Sequence, residues 1–167
     1  PPGEWIEVDI EFDGMLPGVF ARNGAHKDFA LGGQWFPKIA VFEDAGVRGR
    51  AEPGWNTHQY HAHSEFYPDF GDYDVTVSLP VRYQGKIGGT GRLVEETVDG
   101  DTVRARFVQE GVSDFVWTAE PGYVVVKDRF DPDRDVPRGQ QERIAGLLGV
   151  APEEIALQPV DITLLLR

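Results

Sequence analysis

The chain has 167 residues, of which 41% are hydrophobic and 26% charged; this is enough for one folded domain with a core and unlike a disordered tail. Its formal net charge is -12, a field that repels phosphate backbones and anionic lipid and so argues against nucleic-acid and membrane-surface partners. There are no cysteines, which excludes a disulfide framework, a thiolate metal site and a cysteine nucleophile. The longest apolar runs, such as Val124–Val126 and Leu164–Leu166, fall far short of a bilayer span. No basic stretch followed by an apolar one opens the sequence. The first residue is Pro1 rather than Met, which reads as an excised segment of a longer protein.

In chain order, Trp5, Glu7, Asp9 and Glu11 alternate with Ile6, Val8, Ile10 and Phe12, predicting a half-buried strand. Tyr73, Val75, Val77 and Leu79 repeat the pattern, with Pro80 as its stop. Arg92 to Val98, the turn Asp99-Gly100-Asp101, and Thr102 to Gln109 predict a hairpin with Val103, Ala105 and Phe107 on one side. Phe115 to Thr118 and Tyr123 to Phe130 read as a further pair joined by Glu120-Pro121-Gly122. The Asp131–Asp135 run reads as a solvated loop.

Ile144, Leu147 and Leu148 then sit at helical spacing, which predicts a helix over 137–149 with Asp135 as its cap and Gly149 as its left-handed stop. Pro152-Glu153-Glu154 opens a short turn, and Val160 to Leu166 reads as a final buried strand. About seven strands result. The expected fold is mostly all-β, a curved β-sandwich or saddle-like sheet, in a single domain over 1–167 with one short helical insertion.

Several residues could carry chemistry. His58, His61 and His63 form H-x-x-H-x-H; in an extended segment His61 and His63 share a face with Glu65 and could chelate zinc. The spacing matches no established zinc template closely, and the competing reading is hydrogen bonding within a loop rich in aromatics, so zinc binding here is expected to be weak or nil. Asp69, Asp72 and Asp74 surround Gly71, but their spacing departs from the calcium loop and suits turn caps or a solvent face. Gly85 to Gly91 lacks the order of a phosphate-cradling loop and reads as a β-turn with a bulge. Ser64, Ser78 and Ser113 lack a nucleophile elbow. Trp5, Trp35, Trp55 and Trp117 suit core or interface positions better than a sugar-stacking platform.

Gln34-Trp35-Phe36-Pro37, the block from Trp55 through His58-Gln59-Tyr60-His61-Ala62-His63-Ser64-Glu65-Phe66 to Asp72-Tyr73-Asp74-Val75, Ile87 to Gly91, Ser113 to Trp117 and Asp161 to Leu166 occur in an order and spacing that resembles the non-catalytic β-domain of the aminopeptidase N family of zinc metallopeptidases, in a bacterial-type member. The likeness runs from about Leu16 to Arg167. H-E-x-x-H, the helical zinc-binding pair with its glutamate base, is nowhere in the chain.

The resemblance implies a parent enzyme that cleaves amino-terminal residues from peptides with a zinc-activated water. No zinc belongs to this chain; the metal belongs to a catalytic domain of the same polypeptide, downstream of Arg167. The present domain caps and partly lines the substrate cleft, with Gln34 and Trp35 as the substrate-binding residues and no catalytic residue of its own. Where many members carry a second Gln or Glu two positions after the first, this chain has Phe36. The family's first strands, before the equivalent of Trp5, are expected to be missing. A stand-alone β-sandwich module binding carbohydrate or peptide is the alternative, as is an adaptor domain of a peptidase-like protein that has lost its zinc site.

Overall fold

The computed structural model describes residues 3–18, 22–57, 70–155 and 157–167. Among them the chain forms β1 (Asn23–His26), β2 (Phe29–Gly32), β3 (Phe42–Glu43), β4 (Gly54–Trp55), β5 (Gly71–Pro80), β6 (Ile87–Gly89), β7 (Arg92–Asp99), β8 (Thr102–Val112), β9 (Trp117–Ala119) and β10 (Val124–Phe130). Two helices, α1 (Pro132–Asp135) and α2 (Arg138–Leu148), precede β11 (Val160–Leu166). The protein is therefore mostly β with a helical insertion, as its sequence periodicity predicts. It divides into two compact units, Pro1–Pro121 and Gly122–Arg167.

Within the first unit, β5, β8 and β7 form an antiparallel sheet in that order. The period-two pattern dictates its faces. Tyr73, Val75, Val77 and Leu79 turn inward on β5, opposite Val103, Ala105 and Phe107 of β8, while Asp72, Asp74, Thr76 and Ser78 face solvent. The β7–β8 hairpin matches expectation, and its turn places Gly100 at φ 57°, a conformation that side chains with a Cβ rarely adopt. A second sheet runs β1-β2-β9-β6. Both sheets feed one core: Val77, Val103, Ala105 and Phe107 from the first, Ile87 and Ala119 from the second, with Tyr83 and Phe115 from the connections. Complete burial of Phe115 stabilises the fold by roughly 1.5–3 kcal/mol.

In the second unit β10 and β11 make an antiparallel ribbon, with Val124 opposite Leu166 and Phe130 opposite Val160. Both helices lie in the connection between these strands, which makes them an insertion between paired strands. Gly149 ends α2 at φ 69°, and Pro152–Glu154 forms a 3-10 turn.

Six expectations are corrected. Residues 5–12 form no strand and are exposed throughout; alternation supplies a face but not a partner, and no described strand hydrogen-bonds to them. Phe115–Thr118 does not pair with Tyr123–Phe130: β9 lies between β2 and β6, and the Pro121-Gly122 turn passes the chain to the other unit. The Asp131–Asp135 run is a helical turn instead of a loop, capped by Asp131, whose carboxylate accepts from Asp133 N. Asp135 therefore ends α1, and Pro137 stands at the N-terminal cap position of α2. Finally, β11 is a strand but not a buried one, since only Leu165 is as much as half-buried. The strand number also exceeds the expected seven, because short pairs such as β3–β4 carry too few residues to show a period.

Candidate functional site

The positions around Gln34 are built by β2 and β9. Their register sets Gly32 opposite Trp117, so residues 33–35 run beside 114–116. A Cβ on Gly33 would lie 2.3 Å from the carbonyl oxygen of Arg22, so only glycine lets the backbone pass here. Asn23 fixes the turn from inside: its Oδ1 accepts from Gly33 N at 2.8 Å and Gln34 N at 3.3 Å, and its Nδ2 donates to Gln34 O at 2.7 Å.

Both predicted substrate-binding residues are half-buried and tied to the segment leading into β9. Gln34 Nε2 donates to Asp114 Oδ2, and Trp35 Nε1 donates to Phe115 O at 3.1 Å. Asp114 also accepts from Phe115 N at 2.9 Å and forms an ion pair with Lys38 Nζ at 3.0 Å. Lys38 Nζ lies 5.2 Å from the Phe36 ring centroid. Behind this polar cluster the rings of Trp35, Phe36, Tyr73, Phe115 and Phe107 contact one another in sequence toward the core. The arrangement holds a carboxamide, a carboxylate and an ammonium in fixed geometry against an aromatic floor. It can recognise polar groups by hydrogen bonding and charge.

A second cluster surrounds Glu43, which the sequence reading did not single out. Glu43 is 5% exposed, a buried charged residue among the described residues. Arg48 pairs with Oε1, Arg50 Nη1 lies 3.7 Å from Oε2, and Asn56 Nδ2 donates to Oε1 at 2.9 Å. Two donors and a further guanidinium charge around one carboxylate offset its desolvation and close the loop between β3 and β4. On this β3–β4 pair, Phe42 and Trp55 meet as a cross-strand aromatic couple, 53% and 55% exposed, with centroids 5.3 Å apart and planes at 82°. The signal for the clamp is local: one Glu followed at five and seven residues by Arg, with glycines between them for tight turning.

The remaining candidates separate. His58, His61, His63, Ser64, Glu65 and Asp69 lie outside the described residues. Among the described residues no group of three or more His, Asp or Glu side chains is placed to hold a metal ion. Asp74 lies on the solvent face of β5 in a two-point pair with Arg106, whose hydrogen bonds hold its carboxyl below the usual carboxylate range. Asp72 accepts from Gly111 N at 2.9 Å. Gly85 to Gly91 contributes β6 and its flanking turns. The tryptophans form no common platform: Trp35 and Trp117 pack against the core, whereas Trp5 and Trp55 are exposed. No helix of the described residues is long and apolar enough to cross a membrane. Compared with known proteins, the chain matches no family model, no curated protein and no solved structure.

Proposed function

We propose that this chain is a non-catalytic domain of a zinc-dependent metallo-aminopeptidase, where it caps the cleft that receives peptide N-termini. One observation carries the reading. The two sequence blocks around Gln34 and Asp114, eighty residues apart and both part of the resemblance, meet in a single cluster through Gln34–Asp114 and Trp35–Phe115. A peptide's α-ammonium seeks carbonyl and carboxylate acceptors, and the cluster fixes the Gln34 carboxamide through its Nε2 bond to Asp114, whose own charge is met by Lys38. Zinc and the base that works with it belong to the partner domain; this chain contributes orientation of the substrate alone.

The purified chain is expected to hydrolyse aminoacyl-anilides at background rate with or without zinc, because amide hydrolysis needs three metal ligands, an open position and a base. Zinc-dependent turnover that survives removal of contaminating proteases overturns the reading. In the parent polypeptide, Gln34→Ala is expected to raise KM or lower turnover while zinc content and melting temperature stay nearly unchanged. An unchanged kcat/KM removes Gln34 from substrate binding.

The exposed Phe42–Trp55 couple favours a second reading, a stand-alone module that binds carbohydrate or peptide on an aromatic surface. Loss of oligosaccharide or peptide binding on Trp55→Ala, read by calorimetry on this chain alone, selects that alternative.

A further inference from the structure

Residues 5–12 have the pattern of a strand and, among the described residues, no strand beside them. Ile6, Val8 and Ile10 alternate with Glu7, Asp9 and Glu11, every one exposed, and no described strand pairs with the segment. Phe12 rests on Trp35, with ring centroids 6.3 Å apart, which tethers one end. The rest has no backbone pairing with a strand of the described residues and carries an apolar and an acidic face, a form that invites a sheet edge.

β10 has the complementary shortage. It is hydrogen-bonded to β11 on one side only, and its outer edge is unpaired among the described residues. On one face of the ribbon Val124 and Val126 lie opposite Leu166 and Leu164, all exposed. On the other face β10 carries Lys127 and Arg129, the latter already paired with Asp161 of β11 at 2.8 Å, while Asp128 follows Val124 and Val126 on the first face. A two-stranded ribbon with an uncovered apolar face is marginal in water, and a third strand is the simplest remedy. The other long edges suit an acidic strand less: β5 presents Asp72 and Asp74, the latter already paired with Arg106, and β7 presents Glu95, Glu96 and Asp99 against Arg92 alone, whereas β10 sets Lys127 and Arg129 against Asp128. β1 and β6 are four and three residues long, too short for the segment, and β11 brings only Asp161 as charge.

We propose that residues 5–11 of one copy of this chain add as a strand to β10 of a second copy, and that the exchange is reciprocal. With the apolar faces aligned, an antiparallel register sets Asp9 beside Lys127 and Glu7 beside Arg129. The parallel register again sets Asp9 beside Lys127, with Glu11 beside Arg129. The Asp9–Lys127 pair is thus common to both directions. Ile6, Val8 and Ile10 extend the apolar face of Val124, Val126, Leu164 and Leu166, and two reciprocal contacts close a two-fold dimer.

Sedimentation velocity on the full chain at near-physiological salt tests this. The wild-type chain is expected to dimerise with rising concentration. Asp9→Lys and Lys127→Asp each place like charges together at both contacts and are expected to weaken the dimer about tenfold or more. Mixing the two variants restores opposite charges at both contacts, so heterodimers are expected at close to wild-type affinity. Val8→Lys, which leaves the charge pair intact and puts a charge on the apolar face, is expected to abolish the dimer. The proposal is overturned by a wild-type chain that stays monomeric at about 100 µM, by variants that associate as the wild type does, or by a mixture no more associated than its components. Variants that are monomeric like the wild type yet melt earlier indicate pairing within one copy, and this also overturns it.

Discussion

Replacing Asp114 removes an acceptor from Gln34 Nε2 and Phe115 N and a counter-charge from Lys38 at once. Because Lys38 is mostly shielded from water, its unpaired ammonium is costly, and Asp114→Ala is expected to lower stability by about 2–3 kcal/mol in urea unfolding. Gly33→Ala acts on the same cluster from the backbone side: its Cβ meets a carbonyl oxygen that no rotamer change can move. A destabilisation of about 1–3 kcal/mol is expected, with altered fluorescence from the adjacent Trp35. Gln34 and Trp35 could be picked out in sequence because they stand in a run of distinctive residues. Asp114 and Asn23 could not, since each reaches Gln34 only through the pairing of β1, β2 and β9. Glu43 went unremarked although Arg48 and Arg50 follow it closely, because that local spacing does not show its burial until the chain folds both arginines and Asn56 around it.

Elements were legible where one segment carried its own partner. The β7–β8 hairpin declares itself through alternation on both sides of an Asp-Gly turn, and α2 through its spacing and terminal glycine. Where the partner was remote, the same signals misled. Residues 5–12 alternate as cleanly as β5 but pair with no described strand, and β9 pairs with β2 instead of the strand that follows it. Leucine-rich β11 reads as buried because composition cannot say how many strands its ribbon will have. The α1 turn is specified by charge. Arg134 bonds both oxygens of Asp135, and Asp131 N adds a third hydrogen bond, which together bring its pKa down to about 2. A carboxyl depressed in the folded state stabilises fully above its unfolded pKa, roughly 3.9, and loses that contribution as pH falls toward the folded value. NMR titration is expected to show Asp135 protonating near pH 2, with the amide signals of α1 shifting between about pH 4 and pH 2. Asp135→Asn is expected to abolish that dependence.

Across the whole molecule, burial is uneven. The first unit holds the shared core of its two sheets, whereas in the second the buried side chains among the described residues are Tyr123, Pro132 and Ala145. Native-state hydrogen exchange is therefore expected to be slowest in β8, the central strand of its sheet, and faster throughout β10, β11 and α2. Equal protection in both units would contradict this.

The helices inserted between β10 and β11 also bear on how quickly that ribbon can assemble. The β7–β8 hairpin closes over a two-residue turn, but β10 and β11 must find each other across roughly thirty residues, and the entropy of closing such a loop precedes any reward from pairing. An α2 that forms early shortens the chain left to close. Gly146 lies on this helix with open space around its Cβ position, so Gly146→Ala is expected to stabilise the helix by about 0.5–1 kcal/mol. If α2 precedes the ribbon on the folding path, most of that gain appears as faster folding; if it follows, the gain appears as slower unfolding, and stopped-flow kinetics separates the two.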